Sequence, residues 1–398
     1  MVHRTIGAES DLARKFTSRG LFAHAWDLSE PGADRLCDWM CEVGLDVMCL
    51  AGSYHSGWFV HPHNRRHRLF MTEGSVVYFH PRDELYAQTF LKPRIAALAQ
   101  KTDWLSVAAQ SARSRDLRLV SWTVGVHNTF LGQLFPECTQ QNVYGDSIPH
   151  ALSIGHDDTR EYLKALCKDL ATNYDLYGLQ LEAFGWLSFR HNHHHERDLT
   201  ALSSLEQQLL SLCFNPQTVA KAEAADIEVG KVREIVRTTL DAAFSEAPDR
   251  PANHPESLEE LEKRSPELKA YNKFLRGLAH SLIREIKLES LKGTRCKLYL
   301  QEKYTPELTE VCDGFAAWAY GKPPSEIEEI VNSGKPNHWP GEYHCYLRLG
   351  MNLPASEHEL CEMVLAAKRG GSTGPIFYNY SETPPKMLGW IATALAGQ

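Results

Sequence analysis

Leu176-Tyr-Gly-Leu-Gln-Leu-Glu-Ala-Phe-Gly-Trp186 reads as a short buried strand that ends in a carboxylate, Glu182. A helical segment over Asp158 to Asn173 precedes it. Phe184, Gly185 and Trp186 follow, and then a polar run, Arg190-His-Asn-His-His-His-Glu196. An acid at the carboxyl end of a strand that follows a helix is where a (β/α) barrel places its chemistry. The remaining chain is therefore read for the other strands of such a barrel.

Leu21 to Leu28 reads as strand one, with a turn at Ser29-Glu-Pro-Gly. Leu36, Met40 and Val43 then sit at helical spacing, and Gly44 stops the helix. Leu45 to Ala51 is strand two, which completes a β–turn–α–β unit of parallel architecture. A long loop rich in His, Tyr, Trp and Phe runs from Gly52 to Pro81, and long loops in compact domains often carry function. Lys92 to Asp116 has a helical pattern, and Leu117 to Val124 is strand three. Beyond the Glu182 strand, the stretch from Thr200 to Leu291 has helical periodicity, too long for one crossover. Lys297 to Glu302, Cys312 to Tyr320, His344 to Met351 and Gly374 to Tyr380 are strands five to eight, with helices over Pro324 to Asn332, Ala355 to Arg369 and Pro384 to Ala396.

The alternation of eight strands with eight helical segments predicts an α/β fold, a (β/α)8 TIM barrel. It is expected to form a single catalytic domain over residues 1–398, with a helical insertion, 200–291, between strands four and five. An open doubly wound sheet would usually bring a Gly-rich phosphate turn after strand one, and Trp26-Asp-Leu-Ser-Glu-Pro-Gly32 does not fit it.

Composition narrows the partners. The chain of 398 residues is 43% apolar and 23% charged, with a net charge of −8. That balance argues against nucleic acid, which requires clustered positive charge. The one dense basic cluster, Asn64-Arg-Arg-His-Arg68, sits in a loop, where it is either solvated or able to meet an anionic group. No apolar run is long enough to span a bilayer, and the N-terminus shows no apolar signal core. The ten cysteines have no CxxC spacing and read as buried free thiols of a reducing compartment. A cytoplasmic protein that meets small soluble substrates, without membrane contact, is expected. The helical insertion offers a surface for a homo-oligomer.

In a barrel the carboxyl ends of all strands face one mouth. Gathered there are His24, Trp26 and Asp27, then Tyr54 and His55, His127 and Asn128, and Glu182. The later strands add Glu302, Trp318 and Tyr320, Arg348 and Asn352, and Asn379 with Glu382. Sugars offer apolar ring faces to aromatics and hydroxyls to amides, imidazoles and carboxylates, so this mixture suits a small carbohydrate. Two carboxylates are the minimal machinery for glycoside hydrolysis, one protonated to release the leaving oxygen, the other ionised to attack or to activate water. The expected pair is Glu182, as nucleophile or base, and Glu302, as general acid; Glu382 and Asp27 are reserves. Leu298, Leu300 and Glu302 share one strand face, as do Gln180 and Glu182. His24, Trp26, Asp27, Tyr54, His55, His63, His127, Asn128, Trp186, Trp318, Arg348 and Asn352 are the expected substrate contacts. Each tryptophan reads equally well as core.

His191, His193, His194, His195 and Glu196 have metal-ligating side chains, but consecutive histidines project in different directions. Substrate contact or a polar lid is preferred there, and no metal or cofactor is expected.

Several stretches carry a resemblance: Gly20-Leu-Phe-Ala-His-Ala-Trp-Asp27, Ser53-Tyr-His-Ser-Gly57, Pro62-His-Asn64, Trp122-Thr-Val with His127-Asn128, Leu181-Glu-Ala with Phe189, and Leu210-Ser-Leu-Cys-Phe214. Together they resemble a group of bacterial, mostly uncharacterised glycoside-hydrolase-like barrel proteins described as alpha-amylase-like. In barrels of the alpha-amylase type the nucleophile ends strand four and the acid ends strand five, which implies Glu182 and Glu302. The departure is that the strand-four nucleophile of that type is Asp. The other large clan of barrel glycosidases uses strand seven, and Leu347 to Asn352 offers no acid. Asn215-Pro-Gln stands where relatives are expected to carry further cysteines, so a metal knot is not implied.

The resulting expectation is a glycoside hydrolase or transglycosidase acting on a small oligosaccharide or glycoside. The alternatives are a metal-dependent sugar isomerase or epimerase, and a non-catalytic carbohydrate-binding barrel.

Overall fold

The computed structural model describes residues 15–64, 68–191, 200–247, 249–335, 339–350 and 354–396. Eight parallel strands pair in one closed ring. They are β1 (Gly20–Ala23), β2 (Val47–Tyr54), β3 (Arg118–Val124), β4 (Gly178–Glu182), β5 (Lys297–Leu300), β6 (Gly314–Trp318), β7 (Glu342–Arg348) and β8 (Gly374–Tyr378). β8 returns to β1, with Gly20 opposite Ile376 and Leu21 opposite Phe377. The fold is therefore an α/β barrel of the TIM type.

Seven helices pack outside the ring: α1 (Ala33–Glu42), α2 (Trp104–Arg113), α3 (Asp157–Asn173), α4 (Pro266–Glu285), α5 (Pro324–Gly334), α6 (Glu357–Arg369) and α7 (Pro385–Leu395). Between β5 and β6 the described chain makes only the 3-10 turn Pro306–Leu308, so the expected eighth crossover helix does not form. Between β4 and α4 lie the further helices Ser204–Ser211, Pro216–Glu223, Val229–Glu246 and Leu258–Arg264. They share a core of their own around Val232, Val236, Leu240, Leu268 and Tyr271. Among the described residues no helix is long and apolar enough to cross a membrane. All ten cysteines are free thiols, and most are buried.

Two boundaries differ from the sequence reading for local reasons. β1 ends at Ala23 rather than Leu28, because a short helix, Ala25–Ser29, begins at once. The Asp27 carboxylate accepts from the backbone N–H of its N-cap, His24, at 2.8 Å, which satisfies an amide an extended chain would have given to a neighbour. The helix read over Lys92 to Asp116 shrinks to α2, whose start is set by the Asp103 carboxylate capping Ser106 N at 2.8 Å.

Alternation along each strand sorts the side chains into two cores. Leu21, Leu50, Leu119, Leu179, Leu298, Phe315 and Leu347 face the helices. Phe22, Val47, Cys49, Val120, Trp122, Tyr299, Ala316, Tyr346 and Ile376 fill the barrel. The lower end is closed by Tyr299, which lies between two glycines. A Cβ on Gly178 would come within 2.6 Å of its ring, and one on Gly314 within 2.4 Å. Its hydroxyl donates to Glu342 at 2.9 Å, and the same carboxylate receives Lys297 Nζ at 2.7 Å, Ser18 Oγ at 2.7 Å and His344 Nε2 at 3.1 Å. Burial works to raise the Glu342 pKa, but these bonds outweigh it and hold the carboxyl well below the usual range.

Candidate active site

The upper end of the barrel interior is organised by Glu182, the last residue of β4. It shares the inward face with Gln180, so alternation aims it into the barrel, toward β3. Trp122 Nε1 donates to its Oε2 at 2.6 Å. Gln301, two residues after Tyr299 and on the same inward face, completes the contact. Its amide nitrogen is placed to donate to Glu182 Oε2 at 3.1 Å while its oxygen accepts from Trp122 Nε1 at 2.9 Å. Burial pushes the Glu182 pKa up to about 7, against the lowering effect of the Trp122 bond. A carboxyl group in that range exchanges a proton near neutral pH.

Tyrosines surround it. The phenols of Tyr54, Tyr320, Tyr346 and Tyr378 all feel the Glu182 charge, and burial first and foremost raises their pKa values and keeps them as neutral donors. Tyr54 and Tyr378 hydroxyls face one another at 3.5 Å. Both also feel a second carboxylate, Glu382, just beyond β8. Asn379 Nδ2 donates to Glu382 Oε2 at 2.9 Å, and Asn379 Oδ1 accepts from the Glu382 N–H at 2.8 Å, so the loop is fixed from both sides. Trp318 is 42% exposed at the rim, with its indole N–H given to the Gln301 carbonyl and Tyr320 5.2 Å away. An open indole face of this kind is a platform on which a sugar ring can lie. Arg348, at the end of β7, is half-buried 5.9 Å from the Tyr378 ring.

Glu302 is placed differently. β5 stops at Leu300, Gln301 takes the inward position and Glu302 turns outward, the side already held by Leu298 and Leu300. Its Oε1 lies 3.9 Å from where a Cβ on Gly185 would be, a position that also meets the Ala279 methyl of α4. The residue is exposed, and the partial covering of its carboxyl end by this contact raises its pKa. Glu182 and Glu382 both act on the phenols of Tyr54 and Tyr378, whereas Glu302 lies against Gly185 and Ala279.

The residues after β1 form a covered cluster. The Ser381 hydroxyl donates to Asp27 Oδ2 at 2.7 Å and receives Trp26 Nε1 at 3.0 Å. It therefore accepts from His24 Nδ1 at 2.9 Å, which makes Nδ1 the protonated nitrogen. His24 is fully buried and stacks on Trp26 at 4.2 Å; both act here as the wall behind Trp122 and Tyr54. Asp27 and His63 line a cavity of about 920 Å³ outside this wall, together with His61, Arg35, Arg68 and Tyr380. His55 and His127 stack at 4.1 Å, and His191 meets His127 edge-on at 4.6 Å. Burial lowers all three pKa values, that of His55 to about 4. Among the described residues no group of three or more His, Cys, Asp or Glu side chains is arranged to hold a metal ion. Asn128 caps the helix Thr129–Leu134, accepting from Leu131 N at 2.9 Å. Trp186 gives its N–H to the Leu275 carbonyl of α4 at 2.8 Å and belongs to a separate apolar pocket there. Asn352, His193, His194, His195 and Glu196 lie outside the described residues.

With this geometry in hand, comparison with known proteins separates fold from family. The chain matches the alpha-L-fucosidase isoenzyme 2 from Paenibacillus thiaminolyticus with a TM-score of 0.56 at 10% identity, over 95% of this chain and 49% of the fucosidase. It thus spans about half of that enzyme's length. It matches the PgaB (BpsB) glycoside hydrolase domain from Bordetella bronchiseptica with a TM-score of 0.52 at 13% identity, over 94% of this chain and 98% of that domain. The catalytic domain of beta-amylase from Paenibacillus polymyxa gives a TM-score of 0.51 at 9% identity, over 96% and 98% of the two chains. The barrel is one that glycoside hydrolases share. No protein-family model matches the sequence, and no curated protein matches it. The likeness is thus distant and structural, across glycoside hydrolases of several specificities, with no family at the level of sequence.

Five side chains at the site lay outside the sequence expectations: Trp122 as the partner of the carboxylate, and Gln301, Tyr346, Tyr378 and Ser381. Alternation carried a signal for two of them. Gln301 follows Tyr299 by two residues, and Trp122 shares its face with Val120 and Val124.

Proposed function

We propose that the barrel mouth is a glycosidase centre in which Glu182 is the general acid. The observation that carries this reading is the Glu182 carboxyl, walled by aromatics and raised to about 7. Protonated there, it can deliver a proton to the leaving glycosidic oxygen. The partner carboxylate is Glu382, held by Asn379 and acting on the Tyr54 and Tyr378 phenols. It attacks the anomeric carbon, or activates a water that does so. Trp318 supplies the ring platform, and the tyrosine hydroxyls donate to the sugar.

This assignment gives Glu182 the acid role rather than that of nucleophile. It also replaces Glu302 as the second carboxylate, because Glu302 continues the outward side of β5 and is exposed. The fold shared with a fucosidase, a beta-amylase and the PgaB domain supports a small glycoside or oligosaccharide as substrate without selecting the sugar. The test is a panel of aryl glycosides and short oligosaccharides scored for release by the wild type and by Glu182→Gln. Turnover by the wild type, abolished in the variant, supports the reading. Equal turnover by both refutes it.

A further inference from the structure

The mouth contains a cation, Arg348, that no described residue neutralises through an ion pair. Arg348 closes β7 on the inward face, two residues beyond Tyr346. Its guanidinium is half-buried, above the Tyr378 ring at 5.9 Å. It lies close enough to Tyr320 to pull that phenol's pKa down against burial and the Glu182 charge. Yet among the described residues it takes part in no hydrogen bond and no ion pair. Buried or half-buried arginines elsewhere in the chain behave otherwise. Arg160 is matched by Glu285 at 2.6 Å, Arg118 by Asp46 at 2.7 Å and Arg82 by Asp169 at 3.1 Å.

A long-range counter-ion would be the plain explanation for an unmatched guanidinium, and the candidates are Glu182 and Glu382, both of which act on the Tyr378 phenol beneath it. Burial raises the Glu182 pKa and the Trp122 bond lowers it, with no part played by Arg348, and the Glu382 carboxylate is held by Asn379 instead. The planar fork of five N–H donors is therefore unspent, and its natural complement is a carboxylate held by two parallel bonds.

We propose that the site takes a glycoside of an acidic sugar, and that Arg348 binds the sugar's ring carboxylate. This deepens the glycosidase reading and rests on it for the position of the substrate. The ring lies against Trp318 and Tyr320 while its carboxylate meets Arg348. The glycosidic oxygen is thereby oriented toward Glu182. Arg348 is a specificity residue in this arrangement and takes no part in proton transfer.

The test is binding, measured by titration calorimetry at one ionic strength. The probes are D-glucuronate and D-galacturonate, each against its neutral hexose, with the corresponding 6-sulfated hexose as a further arm. The expected result is a roughly ten- to hundredfold preference for the uronate in the wild type, the scale of hydrogen bonds to a charged group. The preference should vanish in Arg348→Gln and survive in part in Arg348→Lys, which keeps the charge and loses the fork. The proposal is overturned if wild type binds the hexose as well as the uronate, or binds neither. It is also overturned if Arg348→Gln keeps the preference, or if the sulfated hexose outcompetes the uronate. A misfolded Arg348→Gln would show as a lowered melting temperature, in which case the Arg348→Lys result and the wild-type preference still decide. Uronate preference without hydrolysis of any glycoside would refute the glycosidase reading and leave this one standing. Hydrolysis of neutral glycosides without uronate preference would do the reverse.

Discussion

The indole N–H of Trp122 and the carboxylate of Glu182 meet at 2.6 Å across the β3–β4 pair, and this is the bond that opposes burial at the site. Removing it takes a stabilising donor from the ionised form, so the Glu182 pKa should rise further above about 7. For a general acid, the rate falls as pH climbs through that pKa. Trp122→Phe should therefore move the alkaline limb of the kcat/KM profile to higher pH. An unmoved or acid-shifted limb would detach the pH dependence from Glu182.

Glu182→Gln should lower kcat by about a thousandfold at neutral pH while the melting temperature stays near that of the wild type, the usual range for loss of a positioned proton donor. The loss should be smaller with substrates whose leaving group is a good one, such as nitrophenol, because they require less protonation. A uniform loss across leaving groups would argue for a different role.

Glu382 and Glu302 separate cleanly by substitution. Glu382→Gln should cost at least about a hundredfold in kcat, whereas Glu302→Gln should change it by no more than a few-fold. The opposite ranking, read by steady-state kinetics on one aryl glycoside, would return the second carboxylate to the end of β5.

The fold and the site were legible to different depths. All eight barrel strands can be placed from apolar runs and turn residues, because a parallel barrel buries both faces of each strand and leaves a strong local signal. The end of β1 could not, because Asp27 as a helix cap and Asp27 as a strand-end acid look alike in sequence. Glu182 is visible as an acid after four apolar-flanked positions. Its partner is not, since whether residue 301 or 302 faces inward depends on a one-residue register, and a slip of one reverses every side chain. His24 and Trp26 carry the residue types of a sugar site, but only packing tells that Ser381 folds over them from the far end of the chain.

The histidine stack should make the protein sensitive to acid. His55, His127 and His191 have folded pKa values below the unfolded value of about 6.5, so below that pH the unfolded chain binds more protons. Stability should fall as pH drops from about 7 to 5. His127, whose two ring nitrogens have no hydrogen-bond partner among the described residues, contributes to this loss. In His127→Leu the melting temperature should depend less on pH across the same interval, and an unchanged slope would remove His127 from the account.

Glu342 works in a lower window and is lost the same way. Its folded pKa lies below the unfolded value of about 4.3, so its contribution is present at neutral pH and disappears as pH falls below about 5. Glu342→Gln should cost about 3 kcal/mol at neutral pH, as expected when a buried ion pair loses one member. The cost should shrink toward pH 3 in urea titrations, and a constant cost would place the effect in packing.

The floor that Glu342 and Tyr299 make has a consequence for traffic. With Tyr299 wedged against Gly178 and Gly314, the barrel is a cup and not a pipe. Whatever ligand enters the mouth departs by the same door. A long polymer is thus met at its tip or laid across the rim, and is never drawn through.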